Sequence, residues 1–96
     1  MLVDYHAAAL RELNEITSYY EWQLPNLGLD FLDALERALS LVAENPHLGA
    51  VYHRSFRRIS LQRFPFAVFY LVERDVIRVM AVAHQRRMPD YWSKRR

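Results

Sequence analysis

Eleven of the thirteen Lys and Arg residues in this 96-residue chain lie in its second half. Set against Glu73, Asp75 and Asp90, they give residues 51–96 a balance of +8. Residues 1–50 carry Arg11 and Arg37 against eight acids, a balance of −6. So sharp a split points the second half at something anionic, either nucleic acid or an acidic protein segment. The cations available to hold a target or a phosphate are Arg57, Arg58, Arg63, Arg78, Arg86 and Arg87. Proton transfer is less well supplied. No carboxylate and no lysine occurs between Val51 and Val72, and arginine does not release its proton in proteins. The acid or base candidates in the basic half are His84, His53, Tyr52 and Tyr91. His84 is the best placed, at the expected end of the last strand and two residues before Arg86-Arg87, a position that suits a base. Its alternative role is structural, capping the strand and bonding to backbone.

Other chemistries are excluded or disfavoured by composition. The chain has no cysteine, so it forms neither disulfides nor thiolate metal sites, and a reducing cytoplasm is the expected compartment. Its four histidines, His6, His47, His53 and His84, are far apart and lack ligand spacing, so no metal and no other cofactor is expected. His6, His47 and His53 read as ordinary surface or loop residues. The N-terminus has no basic segment followed by an apolar run, the mark of a signal peptide. The longest apolar run, Phe64 to Val72, is too short to span a bilayer.

The elements that must position these residues follow from periodicity. Residues 1–96 form a single domain by length, and 52% apolar residues with only two glycines suit one compact core. Leu2 to Tyr5 reads as a short strand. From Ala7 to about Leu24, apolar residues recur at three- and four-residue steps (Leu10, Leu13, Ile16 or Thr17, Tyr20, Leu24), which predicts a helix ended by Pro25. A second helix is predicted from about Gly28 to Glu44, with Phe31, Leu32, Leu35, Ala38, Leu39 and Val42 as its stripe. The short link between them makes an antiparallel hairpin. After residue 51 the period becomes 2. Strands are predicted over Phe56–Gln62, Phe66–Glu73 and Val76–His84. In the last, Ile77, Val79, Ala81 and Ala83 share one face and Arg78, Met80, Val82 and His84 the other. The expected fold class is α+β: an N-terminal short strand, then an antiparallel two-helix hairpin packed on an antiparallel sheet with a three-strand C-terminal meander. Pro89 to Arg96 is a tail whose Tyr91-Trp92 pair is expected to dock on the domain.

Several segments, in order, resemble the RelE/ParE toxin superfamily. These are Tyr19-Tyr20-Glu21, Gly28-Leu29-Asp30-Phe31-Leu32, Asn45-Pro46 with Gly49, Arg57-Arg58-Ile59-Ser60-Leu61, Arg63-Phe64-Pro65-Phe66 and Ala81-Val82-Ala83-His84-Gln85-Arg86-Arg87. The resemblance covers nearly the whole chain and rests on the order and spacing of these segments together. It implies the toxin of a type II toxin–antitoxin pair, of the kind often described as plasmid stabilisation proteins, with a cognate antitoxin that wraps and neutralises it. It implies one of two targets. RelE-like members cleave messenger RNA in the ribosome, whereas ParE-like members poison DNA gyrase without a hydrolytic centre.

RNA cleavage through the 2′-hydroxyl needs a base, an acid for the leaving 5′-oxygen and cations around the phosphate. The resemblance to RelE-like toxins offers His84, Tyr91 and Arg63 for these tasks, Tyr91 donating as a phenol does in some of them. Phosphate binding is thus well supplied and proton transfer poorly, a pattern that resembles the ParE-like branch, as does the His84-Gln85-Arg86-Arg87 ending. The expectation is gyrase binding, with a ribosome-dependent endoribonuclease as the alternative and a non-toxic basic nucleic-acid-binding module as the second alternative.

Overall fold

The computed structural model describes residues 1–87 and 91–95. In chain order the elements are β1 (Leu2–Tyr5), α1 (Ala7–Gln23), α2 (Leu27–Glu44), β2 (Ala50–His53), β3 (Phe56–Ser60), β4 (Phe66–Glu73) and β5 (Val76–His84). They form the expected α+β architecture. The meander β3-β4-β5 is flanked by β2 at one edge and β1 at the other, in the order β1-β5-β4-β3-β2. β1 runs parallel to β5, pairing Leu2 with Val76 through Tyr5 with Val79, so the sheet is mixed. β2 was not expected from the sequence. It is four residues long and exposed throughout, and so shows no alternation.

The helix hairpin covers one sheet face. The core side of α1 is Ala9 and Leu13, with Ile16 and Tyr20 packed against it. Leu10 and Leu24, expected on this stripe, are instead exposed, a rotation of the buried face by about one residue. α2 buries Gly28, Phe31, Leu35, Ala38, Leu39 and Val42, close to the expected stripe. Glu21 closes the hairpin. Its two carboxylate oxygens accept the backbone N–H of Asn26 (2.9 Å) and Gly28 (3.0 Å), two donors left open at the start of α2. Asn26 itself sits at φ 73° and makes no side-chain cap. The helices cross closely here: a Cβ on Gly28 would lie 2.7 Å from the Thr17 carbonyl oxygen.

After α2 the chain is bolted to the sheet by two side chains. The Tyr70 hydroxyl accepts the Gly49 N–H (2.9 Å) and donates to the Pro46 carbonyl (3.0 Å). Arg57 donates to the Gly49 and His47 carbonyls at 2.7 and 3.2 Å.

The opposite sheet face has a core of its own, made by the tail. Trp92 is fully buried there against Phe56, Ala67, Phe69, Met80, Ala81 and Ala83, its ring 4.4 Å from Phe69 and 5.0 Å from Phe56. The expected docking of the Tyr91-Trp92 pair therefore describes what the tail does. Pro89 and Asp90, part of the same reading, lie outside the described residues.

Candidate functional site

The geometry of every candidate near the chain end depends on a bulge in β5. Tyr70 pairs with Val79 but Phe69 with Ala81, so Met80 is an extra residue. One inserted residue moves everything beyond it to the other face. Ile77, Val79 and Val82 pack toward the helices, whereas Met80, Ala81 and Ala83 pack with Trp92. Strict alternation along this strand is thus overturned. His84, expected on the face of Arg78, stands on the helix side with its ring edge against Phe66 (5.4 Å, 75°).

The bulge is held by a clasp between the two ends of the chain. β1 covers β5 only as far as Val79, leaving the rest of that edge to α1 and the tail. Glu12 of α1 accepts the Val82 N–H at 3.1 Å, and Arg95 donates to the Met80 carbonyl at 3.0 Å. The same two side chains form a bidentate pair at 2.8 and 2.9 Å, with only 14% and 16% of their side-chain surface exposed. A planar guanidinium on a carboxylate, with the remaining lone pairs satisfied by backbone, is the geometry in which a buried pair holds together. The hydrogen bond to Glu12 raises the Arg95 pKa above its already high value.

Tyr91 belongs to this clasp. It sits beside Glu12, and Arg87 and Arg95 stack on its ring with centroid distances of 3.8 and 5.1 Å. Burial, then the negative charge of Glu12, push the phenol up to about 12 against the lowering effect of both arginines. His84 is also engaged. Its Nδ1 accepts the Arg86 N–H at 3.1 Å, so that nitrogen is unprotonated. His6 does the same at the start of α1, accepting the Ala8 N–H at 3.0 Å.

The structure thus brings His84, Tyr91 and Arg87 around one small cleft of about 120 Å³, shared with Glu12 and Glu15. Arg63 does not line it. Arg63 lies in the turn between β3 and β4, at φ 72°, near Asp30 (3.8 Å) and over the Phe64 ring (5.7 Å). The other arginines do not make one surface either. Arg57 ties down the loop after α2. Arg58 and Arg78 are half-buried on strand positions opposite Phe69 and Leu71, and Arg78 lines a depression with Asp4 and Glu73. Arg86 and Arg87 are exposed just after β5. Among the described residues no group of three or more His, Asp or Glu is arranged to hold a metal. None of the helices is long and apolar enough to cross a membrane.

Residues 3–89 match the family model described as the ParE toxin of the type II toxin–antitoxin system, parDE. The chain belongs to the ParE toxin family. The fold agrees. A chain from the solved structure of the chromosomal ParDE TA system of P. aeruginosa superposes with a TM-score of 0.74 at 18% identity, covering 88% of this chain and 95% of that one. No protein of curated function matches. The matched segment of this ParE-family member takes in the hairpin, the whole sheet and Arg86-Arg87, but stops before Tyr91, Trp92 and Arg95. The tail plug and the tail's half of the clasp, Tyr91 and Arg95, therefore lie beyond it, while Glu12 lies within it.

Sequence reasoning missed three residues that shape the site. Glu12 and Arg95 meet across 83 positions, and no local pattern announces such a pair. Glu21 had a faint signal, as a carboxylate standing just before a short link into a second helix.

Proposed function

We propose that this ParE-family chain acts as a cytoplasmic toxin by binding DNA gyrase, without cleaving RNA, and that a cognate antitoxin neutralises it. The cleft at the end of β5 carries this reading. Its two candidate proton-transfer groups are engaged in structure, His84 Nδ1 by the Arg86 N–H and the Tyr91 ring by Arg87 and Arg95, with its phenol pushed up by burial and by Glu12. Glu15 lines the same cleft and would disfavour a phosphate there, while Glu12 is taken up by Arg95. The opposite face of the sheet is filled by Trp92. The proposed target contacts are cations without a proton-transfer partner: the exposed Arg63, Arg86 and Arg87 and the half-buried Arg58 and Arg78.

The antitoxin reading has a surface to match. A groove of about 320 Å³ runs between α2 and the end of β3, with Ala34, Ala38, Leu41 and Ile59 along it and charged residues of both signs at its rim. β2 pairs with β3 only from Phe56 to Arg58, so the strand edge beside this groove is open to an extended segment. A partner segment with apolar side chains and acids, ordering as it binds, fits such a surface.

The test uses purified protein in two assays run together. Gyrase supercoiling is expected to fail in its presence, while ribosomes programmed with messenger RNA keep their message intact. RNA cleavage that disappears in a folded His84→Ala or Tyr91→Phe protein would reverse the assignment in favour of the nuclease.

A further inference from the structure

One end of the molecule carries exposed aromatic rings and exposed arginines. α1 runs beside β5 toward this end, since Glu12 meets Val82 while Tyr20, two turns later, stacks near Phe66 at 6.2 Å. Phe66 pairs with His84 and Ser60 with Ala67, so the β3–β4 turn and the segment after β5 emerge at the same place. A continuous series of rings joins them. Tyr19 contacts Tyr20 at 5.5 Å, Tyr20 contacts Phe64 at 4.9 Å, and Phe66 contacts His84 at 5.4 Å. Arg63 lies over Phe64, and Arg86 is tied by its backbone to His84.

The outer ring of this series, and a second ring outside it, are open to solvent. Tyr19 is 60% exposed and Trp22 89%. They stand three residues apart in α1, hence on one face of the helix. Trp22 has no ring contact among the described residues, and folding gives no reason for an indole there. Two exposed arginines emerge at the same end of the sheet: Arg63, with 68% of its side chain exposed, in the β3–β4 turn, and Arg86 after β5. The local acids are partly neutralised. Glu21 is turned onto the backbone amides of Asn26 and Gly28, and Asp30 lies 3.8 Å from Arg63.

We propose that this end is a binding site for single-stranded nucleic acid, in which Tyr19 and Trp22 stack unpaired bases and Arg63 and Arg86 hold the phosphates. Exposed rings beside a cationic track are the pattern of sequence-tolerant single-strand binding, because every base has a π-face. A duplex buries those faces and offers the rings nothing. The inference does not rest on gyrase as the target, and a failed supercoiling assay leaves it standing.

The experiment is a titration of the purified chain with an oligothymidylate, followed by tryptophan emission, in which fully buried Trp92 gives a constant background and Trp22 is the responsive ring. Quenching is expected at low salt, with log affinity falling linearly in log salt. The Arg63→Ala, Arg86→Ala double variant is expected to reduce the salt slope by about 1.4, roughly 0.7 for each lost single-strand phosphate contact. The Tyr19→Ala, Trp22→Ala double variant, read by anisotropy of labelled oligonucleotide, is expected to bind about tenfold more weakly or worse with the slope unchanged. All four side chains are exposed, and a thermal melt confirms that each variant folds. Absence of low-salt binding overturns the proposal, as does an aromatic double variant that binds like the parent. Equal affinity for a duplex without quenching reduces the surface to plain electrostatics. Quenching by gyrase protein alone, with none by oligonucleotide, makes it a protein-docking surface; either result also overturns the proposal.

Discussion

Trp92 and Trp22 are the chain's two tryptophans, and their surroundings are opposite. Trp92 has no exposed surface and fills the sheet face that the helices leave bare, among Phe56, Phe69 and Tyr52. Trp22 is almost wholly in water near the tip of the hairpin. The first is part of how this small domain folds, because a second core on the far face adds burial that one helix layer cannot give. The second adds nothing to the fold and so calls for an external explanation. The same division separates the titratable groups. Glu12, Tyr91 and Arg95 are spent on each other and on the β5 backbone, while Arg63 and Arg86 remain outward.

The strongest way to break this comparison is to remove the buried member. Trp92→Ala is expected to destabilise the domain by about 3–5 kcal/mol, the range for large aromatic truncation in a core. In a chain of this size that is a large part of total stability. A urea melt measures it. A loss below about 1 kcal/mol would mean that the tail rests on the sheet without holding it.

Next comes the clasp. Arg95→Ala leaves the Glu12 carboxylate mostly buried beside Tyr91 with the Val82 N–H still donating to it, and about 2 kcal/mol should be lost. That is below the range for fully buried pairs, because the pair keeps some exposure. A double-mutant cycle with Glu12→Gln is the measurement, and strict additivity of the two losses would show that the pair does not act as a unit.

These two regions also differ in how far the sequence disclosed them. The hairpin and meander were legible because periods of 3.6 and 2 act over neighbouring residues. β4 and β5 were expected with their observed bounds for that reason. The bulge was not legible. Its extra residue, Met80, is as apolar as its neighbours, so a strand buried on both faces hides the slip that ordinary alternation would reveal. His84 was assigned the wrong face for this reason alone. The six arginines were counted correctly as a basic half, but charge in sequence carries no face. Arg57 turned out to bind carbonyls, and the rest divide between separate surfaces. The tail was expected to dock, yet the Glu12–Arg95 contact that fixes it is non-local.

A smaller effect is expected at alkaline pH. The Tyr91 phenol titrates near 10 in the unfolded chain and is pushed up to about 12 in the folded one. A raised folded value means that its contribution is complete below pH 10 and is lost as pH climbs from there through about 12. The group is only half-buried, so solvent screening makes this loss shallower than either substitution above. The phenolate difference spectrum between the parent and Tyr91→Phe isolates it among six tyrosines. A Tyr91 that ionises near 10 would show that it is neither buried nor set against Glu12 in solution.

The smallest expected change is at Trp22, and its smallness carries the comparison. With the side chain 89% exposed, Trp22→Ala should shift stability by no more than about 0.5 kcal/mol, as surface substitutions usually do. Alanine is the better helix former of the two, which offsets part of whatever contact is lost. If melts of the parent and Trp22→Ala coincide while oligonucleotide affinity falls, the exposed indole serves a ligand and not the fold. If the variant instead loses stability comparable to Trp92→Ala, then Trp22 packs in solution against something that the folded chain supplies. The contrast between the two tryptophans would then be one of degree, and the case for a binding surface at the hairpin tip would lose its main support.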